Sequence, residues 1–184
     1  MKNILFFGDS LTAGYGLLNV ALESLPALFQ KKIDDAGLDY KVINAGVSGE
    51  TSAAGLIRVD LFLNNQVDIF VLELGANDGL RGVSAAKTAE NLQQIINKVR
   101  VKFPSVKILL LGMEIPAWIP GANAAAFRSI FRQLAIANNI PLVPFLLDGV
   151  AGIKELNLND GLHPSAAGYQ VIAEKVWPKL QQLT

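Results

Sequence analysis

Apolar residues in this chain follow two alternating patterns. Short continuous apolar runs, such as residues 69–72 and 108–111, lack the apolar–polar alternation of a half-exposed strand. They predict strands that are covered on both faces. Between these runs lie stretches in which apolar residues recur every three or four positions, which is typical of one side of a helix. One such stripe contains Leu22, Leu25, Phe29 and Ile33.

Strand-like and helix-like segments alternate along the whole sequence. The predicted strands span residues 2–8, 41–45, 67–74, 106–112 and 141–145, and the predicted helices span residues 20–36, 51–65, 84–102, 122–138 and 165–182. This order predicts an α/β fold, a three-layer α/β/α sandwich with a five-stranded parallel sheet, right-handed crossovers and a central first strand. No repeat, low-complexity tract or linker interrupts it, so we expect a single domain over residues 1–184.

Charge and composition narrow the range of functions. Lys plus Arg and Asp plus Glu each number 16, so the formal net charge is zero, and 51% of the residues are hydrophobic. A globular chain without a basic run is not expected to bind nucleic acid or an anionic membrane through bulk charge. No apolar run reaches membrane-spanning length, so we expect no stable membrane insertion. A neutral or amphiphilic small molecule is a more suitable ligand for a chain with this charge balance than a nucleic acid or an anionic membrane.

The absence of cysteine removes several kinds of chemistry. Disulfides, thiolate metal sites and a cysteine nucleophile are excluded, and a single histidine disfavours a zinc site. We therefore expect no metal site. The sequence enters its first strand without an apolar leader, so the cytoplasm is the expected compartment, or the periplasm or exterior if a leader has been removed.

Four polar motifs lie at the predicted ends of strands or starts of helices. Residues 8–11, 46–50 and 75–78 follow the first three strands, and residues 160–163 precede the last helix. The carboxyl ends of parallel strands share one edge of the sheet, where ligands bind in such folds. The fourth motif reaches this edge if the last helix begins there. The convergence of the four motifs is stronger evidence than any one of them.

Ser10, His163 and Asp160 are the residue types of a serine hydrolase triad. A serine hydroxyl needs a base within hydrogen-bonding reach, and His163 is the only histidine. Asp160 would accept the other ring N–H, and Pro164 at a first helical position would place His163 at the helix entrance. Each residue also has a plain structural interpretation. Asp9 or Ser10 can cap a helix, His163 can be a surface residue, and Asp160 can begin an Asp-Gly turn.

Gly49 and Asn77 could supply an oxyanion hole. Acyl transfer places negative charge on an oxygen, and each donor positioned there in advance contributes about 3–4 kcal/mol. Gly49 lets a backbone N–H approach closely, and Asn77 offers a side-chain amide. The structural alternatives are a loop glycine with positive φ and an Asx turn closed by Asp78.

Apolar residues near the same edge are candidates for contacts with the substrate. Trp118 and Ile119 follow the fourth strand and could line an apolar pocket or pack their own loop onto the core. Leu80 and Arg81 follow the Asn77 motif, and Arg81 is expected to be solvated. Paired carboxylates could also perform acid–base chemistry, although nothing in the sequence fixes their spacing. The candidates for that role are Glu73, Asp68 and Glu114.

The four motifs resemble those of the GDSL esterases, also called SGNH hydrolases. The Gly-Asp-Ser-Leu sequence at residues 8–11 is the motif that names the family, and the similarity runs from Ile4 to about Trp177. The resemblance implies a flavodoxin-like five-stranded sheet and no cofactor. It implies a nucleophile, a triad and an oxyanion hole at these positions: nucleophile Ser10, triad partners Asp160 and His163, and oxyanion donors Ser10, Gly49 and Asn77.

The chain is most similar to the bacterial thioesterase I, lysophospholipase and arylesterase branch of that family. Residues 72–82 and 48–52 carry this closer likeness, which implies a hydrolase cleaving acyl esters, thioesters and lysophospholipids. Two positions near the expected acyl site differ from the branch. Residues 116–121 contain Trp118 but no tyrosine, and Leu25 stands where a tryptophan often precedes the proline. These differences leave the preferred acyl chain length open.

Two other functions compete with the acyl esterase. A carbohydrate O-acetylesterase is the alternative within the enzyme class, because the wider family includes such enzymes. A flavodoxin-like module that binds a flavin or nucleotide is the alternative outside it, with residues 10–14 around the phosphate. That module would leave Asn77, Asp160 and His163 without a role.

Overall fold

The structure is a computed structural model that describes residues 1–114 and 122–184. The strands are Lys2–Gly8 (β1), Tyr40–Gly46 (β2), Ile69–Glu73 (β3), Lys107–Leu111 (β4) and Leu142–Val143 (β5). The α-helices are Ser10–Ala13 (α1), Val20–Glu23 (α2), Leu25–Asp35 (α3), Ser52–Arg58 (α4), Ala76–Leu80 (α5), Ala85–Lys102 (α6), Ala122–Asn138 (α7) and Ala166–Gln181 (α8). Short 3₁₀ turns add Val59–Phe62 and Lys154–Leu156.

The strands form a parallel sheet in the order β2-β1-β3-β4-β5. This is the flavodoxin-like order, and the predicted α/β fold with a five-stranded parallel sheet is confirmed. The order reverses at β1, which pairs with β2 on one side and β3 on the other. A crevice for ligands opens at such a reversal, beyond the carboxyl ends of the two central strands. The motifs that follow β1 and β3 therefore lie next to each other.

Helices cover both faces of the sheet, which explains the continuous apolar runs. In β1, Leu5 and Phe7 join the core beneath α6 and α7, whereas Ile4 and Phe6 join the core beneath α3 and α8. All four side chains are at most 1% exposed. Both faces of the strand must therefore be apolar, and alternation disappears from the sequence.

The predicted helix over residues 20–36 is divided in two. Ser24 ends α2 and begins α3, where its side chain accepts from the Ala27 N–H at 3.4 Å. The break turns Leu22 away from the core, and its exposed fraction is 68%, whereas Leu25 and Phe29 are fully buried. The prediction that Leu22 shares their buried stripe is wrong because one capping serine interrupts the helical period.

The segment before α8 also differs from its prediction. Ser165, not His163, caps the helix, and Pro164 forms an isolated bridge with Asn157 instead of occupying a first helical position. The Leu158 N–H donates to the His163 carbonyl at 2.7 Å. His163 therefore projects from a closed loop one turn ahead of the helix. Along the described residues, no helix combines the length and the apolar character that crossing a bilayer would require.

Candidate active site

Ser10 lies where β1 ends and α1 begins. Asp9 caps α1 by accepting from the Leu11 N–H at 3.0 Å, so the capping interpretation holds for Asp9 while Ser10 is the first residue of the helix. Gly8 allows this sharp turn, because a Cβ there would lie 2.1 Å from Thr12 Oγ1. Ser10 is left 9% exposed at the carboxyl edge of the sheet. The strand and the cap together fix the position of its hydroxyl group.

His163 and Asp160 complete a continuous hydrogen-bonded chain with Ser10. His163 Nε2 lies 2.9 Å from Ser10 Oγ, although the two residues are 153 positions apart. His163 Nδ1 lies 2.7 Å from Asp160 Oδ2. The other carboxylate oxygen, Asp160 Oδ1, accepts from the Leu162 N–H at 2.9 Å and the His163 N–H at 3.0 Å. Asp160 thus closes a turn and contacts the imidazole with the same carboxylate.

The Asp160 carboxylate favours a proton on Nδ1 of the His163 imidazole. Its pKa is lowered to about 2, first by the backbone N–H of His163 and then by the imidazole and the Leu162 N–H. An ionised carboxylate accepts from Nδ1–H, so the lone pair of Nε2 faces the Ser10 hydroxyl group. The Tyr15 ring packs against the imidazole, with ring centroids 4.6 Å apart. This contact and the carboxylate hold the ring in one orientation.

Gly49 and Asn77 lie on the two neighbouring loops of the same edge. Gly49 has φ +78°, a conformation that glycine adopts readily, and its carbonyl accepts from Arg81 Nη2 at 2.9 Å. Neither its N–H nor that of Ser10 donates to another group among the described residues. Asn77 Nδ2 donates to Asp9 Oδ2 at 3.0 Å and to the Glu50 carbonyl at 3.1 Å. The Asn77 amide therefore ties the Ser10 turn to the Gly49 loop.

Two buried carboxylates, to which the sequence analysis gave no role in positioning the site, hold these loops in place. Asp78 is fully buried and accepts from the Ser52 N–H at 2.8 Å and from Thr88 Oγ1 at 3.3 Å, which joins α4 and α6 to α5. Glu50 is paired with Arg58, whose guanidinium also lies 4.1 Å from the Phe7 ring centroid. The presence of an acidic residue at the end of each of these two motifs was the available signal, because a carboxylate that becomes buried needs hydrogen-bond donors.

The carboxylates predicted as a possible pair occupy three separate environments. Asp68 accepts from the Asn3 N–H at 2.8 Å, and Glu114 forms an ion pair with Arg132 at 2.7 Å. Glu73 is fully buried and accepts from the Asp9 N–H at 3.2 Å. The pair that the structure does form is Glu73 with Asp9. A glutamate inside a strand that is apolar on both faces was the signal for it.

The predicted substrate contacts are only partly described. Leu80 is the last residue of α5 and is 73% exposed, beside Arg81, which reaches the Gly49 loop. Trp118 and Ile119 lie outside the described residues. Within residues 1–114 and 122–184, no cluster of three or more His, Cys, Asp or Glu side chains is placed to hold a metal ion.

The chain is similar in sequence and fold to proteins named as esterases and thioesterases. The chain is 38% identical over 183 residues to esterase TesA of Pseudomonas aeruginosa, covering 99% of this chain and 89% of that protein. It is 35% identical over 181 residues to thioesterase 1/protease 1/lysophospholipase L1 of Escherichia coli, covering 98% and 84%. A crystal structure of TesA superposes with a TM-score of 0.92 at 38% identity and covers 100% of both chains.

A further solved structure concerns the chemistry of the site. The psychrotrophic esterase EstA from Pseudoalteromonas, inhibited by monoethylphosphonate, superposes with a TM-score of 0.89 at 33% identity, covering 99% of this chain and 98% of that one. These comparisons confirm the predicted class of enzyme, a serine hydrolase of ester bonds. The sequence model of the GDSL-like lipase/acylhydrolase family matches residues 6–171, and the chain belongs to that family.

Proposed function

We propose that this protein hydrolyses acyl esters through a covalent acyl-enzyme formed on Ser10. The observation that carries the proposal is the chain of contacts from Asp160 Oδ2 to His163 Nδ1 and from His163 Nε2 to Ser10 Oγ, at 2.7 and 2.9 Å. An ionised carboxylate, a correctly protonated imidazole and a buried hydroxyl group in this order are what a serine nucleophile needs.

The residues act in a fixed order in the proposed reaction. Ser10 Oγ attacks the substrate carbonyl as its proton passes to His163 Nε2, and Asp160 stabilises the imidazolium that forms. His163 then protonates the leaving group, which departs and leaves the acyl group on Ser10. A water molecule repeats the sequence, with His163 as base, and releases the carboxylic acid. Each proton taken by the imidazole is returned, so the enzyme ends unchanged.

The backbone N–H groups of Ser10 and Gly49 supply two donors for the oxyanion. Both are free of other acceptors within the described residues, and the Asn77 amide is the proposed third donor. Asn77 Nδ2 already donates to Asp9 and to the Glu50 carbonyl, so one of its two N–H groups would also donate a hydrogen bond to the oxyanion as charge develops. The free Ser10 and Gly49 N–H groups lower the barrier because donors that are already in place need no reorganisation.

The proposed class of substrate is based on the activities for which the relatives are named. TesA is named an esterase, and the Escherichia coli relative is named a thioesterase and lysophospholipase. We propose that small acyl esters and thioesters are also the substrates of this protein. The exposed Leu80, beside the site, would then contact the acyl group. Trp118 and Ile119 remain predicted contacts from the sequence.

Covalent labelling tests the nucleophile and a substrate panel tests the class. We expect an alkyl phosphonate ester to inactivate the enzyme with one label per chain, located on Ser10 by peptide mass spectrometry. We also expect turnover of p-nitrophenyl esters from acetate to long acyl chains and of an acyl-CoA thioester. Thr12→Ser is the matched control, because it places a second serine in α1. Only Ser10 should be labelled in this variant. A label elsewhere, or no turnover across the panel, would contradict the proposal.

Replacing Asn77 with alanine should lower kcat by about 10²- to 10³-fold, the usual cost of one oxyanion donor. The loss should fall mainly on kcat, because the interaction strengthens as the oxyanion forms. Steady-state kinetics on a p-nitrophenyl ester measure it, with circular dichroism to verify folding. Asn65→Ala, at an exposed turn, is the control and should match the wild type. An unchanged kcat for the Asn77 variant would remove Asn77 from the oxyanion hole.

A further inference from the structure

A buried pair of carboxyl groups lies directly behind the Ser10 turn. Register pairs Gly8 of β1 with Glu73 of β3, which brings Glu73 beside Asp9. Glu73 is 0% exposed and Asp9 is 1% exposed. Among the described residues, neither forms an ion pair with a lysine or arginine. Two adjacent buried carboxylates without a cation would repel each other strongly, so the pair must retain a proton.

The hydrogen bonds indicate that Glu73 is the carboxyl group that retains this proton. Asp9 accepts through both oxygens, Oδ1 from the Leu11 N–H at 3.0 Å and Oδ2 from Asn77 Nδ2 at 3.0 Å. Glu73 accepts through Oε2 alone, from the Asp9 N–H at 3.2 Å and Thr12 Oγ1 at 2.9 Å. Its Oε1 is buried and meets no donor in the described part of the chain. This is the arrangement expected if Glu73 carries the proton and Asp9 the charge.

Electrostatics favour the same assignment. Burial raises the pKa of Glu73 well above its usual value, and the neighbouring Asp9 charge raises it further. Burial raises the pKa of Asp9 as well, but the Leu11 N–H, side-chain hydrogen bonds from Glu73 and Asn77, and the charge of His163 all act to lower it. The pair titrates as a unit, with the first ionisation centred on Asp9.

We propose that Glu73 is a positioning residue: its neutral carboxyl group donates a hydrogen bond to the Asp9 carboxylate, which in turn holds the Asn77 amide and caps the Ser10 helix. The inference rests on the proposed function, since it assigns Asn77 to the oxyanion hole. Glu73 also limits the buried charge behind that hole to one. A second negative charge there would oppose the oxyanion that forms during acyl transfer.

Two substitutions of similar volume separate positioning from simple packing. Glu73→Gln keeps the shape, the neutral charge, a donor towards Asp9 and an acceptor for the Asp9 N–H and Thr12. Glu73→Leu removes all of these polar contacts. We expect kcat of the glutamine variant to stay within about threefold of the wild type. We expect kcat of the leucine variant to fall about 10- to 100-fold with a smaller change in KM. The reason is that an Asn77 amide held in the wrong position stabilises the oxyanion less well.

The pH dependence of stability provides a readout that does not involve activity. A carboxyl group with a raised pKa keeps its proton in the folded state while it ionises in the unfolded chain, above a usual value of 4.5. Its neutral form therefore stabilises the fold fully only below that pH, and this contribution is lost as the pH rises towards the raised pKa. We expect Tm of the wild type to fall more steeply than Tm of Glu73→Gln from pH 5 to alkaline pH.

Catalysis should show the same difference at alkaline pH. Ionisation of Glu73 would place a second charge beside Asp9, so kcat of the wild type should decline there while kcat of Glu73→Gln does not. Besides Glu73, the titratable groups of this region are Asp9, His163, whose charge acts on Asp9, and Tyr169, whose pKa is raised first by burial and then by the charges of Glu73 and Asp9. All three are present in both proteins, so the difference between the two profiles reports Glu73.

Two results would overturn this inference without affecting the esterase proposal. Glu73→Gln could lose as much kcat as Glu73→Leu, which would show that a charged Glu73 is required. The wild type and Glu73→Gln could share the same pH dependence of Tm and kcat, which would show that Glu73 is ionised throughout. The esterase proposal fails on a separate measurement, the labelling of Ser10 by phosphonate in the wild type.

Discussion

Replacing Ser10 with alanine is expected to lower kcat by about 10⁶-fold, the loss seen when a serine nucleophile that acts as one unit with its base is removed. Ser10 Oγ is the atom within 2.9 Å of His163 Nε2, and the new side chain has no group that could form an acyl-enzyme. Residual hydrolysis would come from the oxyanion donors and substrate binding. Turnover of p-nitrophenyl butyrate, corrected for the spontaneous rate, measures the effect.

A double variant sharpens that prediction. His163→Ala should cost about as much as Ser10→Ala, and the variant carrying both changes should cost no more than either, because each change disables the same step. Ser105→Ala removes an exposed hydroxyl group in the turn before β4, at the opposite edge of the sheet, and serves as the matched control. Multiplicative losses in the double variant, or turnover retained by Ser10→Ala, would show that the two residues do not act together.

The sheet could be predicted because its strands are buried on both faces. In β1, the adjacent Phe6 and Phe7 enter different cores, so the strand reads as an unbroken apolar run. The first and last residues of the helices were harder to predict from the sequence. Whether Leu22 is buried depends on where Ser24 interrupts the helix, and whether Pro164 starts α8 depends on a bridge to Asn157. Such features arise from single hydrogen bonds that hydrophobic periodicity does not encode.

The location of the catalytic motifs could be predicted from the topology of the sheet. The buried carboxyl groups that hold those motifs in place could not. Motifs after parallel strands must share one edge, which was enough to expect Ser10 and Asn77 to be neighbours. The pairing of Asp9 with Glu73 depends on the register of β1 against β3, which matches Gly8 to Glu73. A shift of two residues would leave the same apolar faces buried and would separate the two carboxyl groups. The sequence therefore presented Glu73 only as a carboxylate without a known partner.

Asp160→Asn is expected to lower kcat by about 10⁴-fold, although the substitution preserves the shape of the side chain. Asp160 Oδ1 accepts two backbone N–H groups, from Leu162 and His163, at 2.9 and 3.0 Å. An asparagine that keeps its carbonyl oxygen in this turn must point its NH₂ group at His163 Nδ1. The imidazole would then accept at Nδ1 and carry its proton on Nε2, facing Ser10. The base would be blocked even though every heavy atom keeps its place.

The comparison with Asp160→Ala separates this tautomer effect from loss of the carboxylate charge. Alanine removes the charge and the turn contacts but imposes no tautomer, so its kcat should be no lower than that of the asparagine variant. Because His163 is the only histidine in the chain, a ¹⁵N spectrum contains the two ring-nitrogen signals of a single imidazole, and their shifts identify the protonated nitrogen directly. We expect the proton on Nδ1 in the wild type and on Nε2 in Asp160→Asn. A wild-type tautomer in the asparagine variant, or a kcat within tenfold of the wild type, would show that Asp160 does not set the protonation of the base.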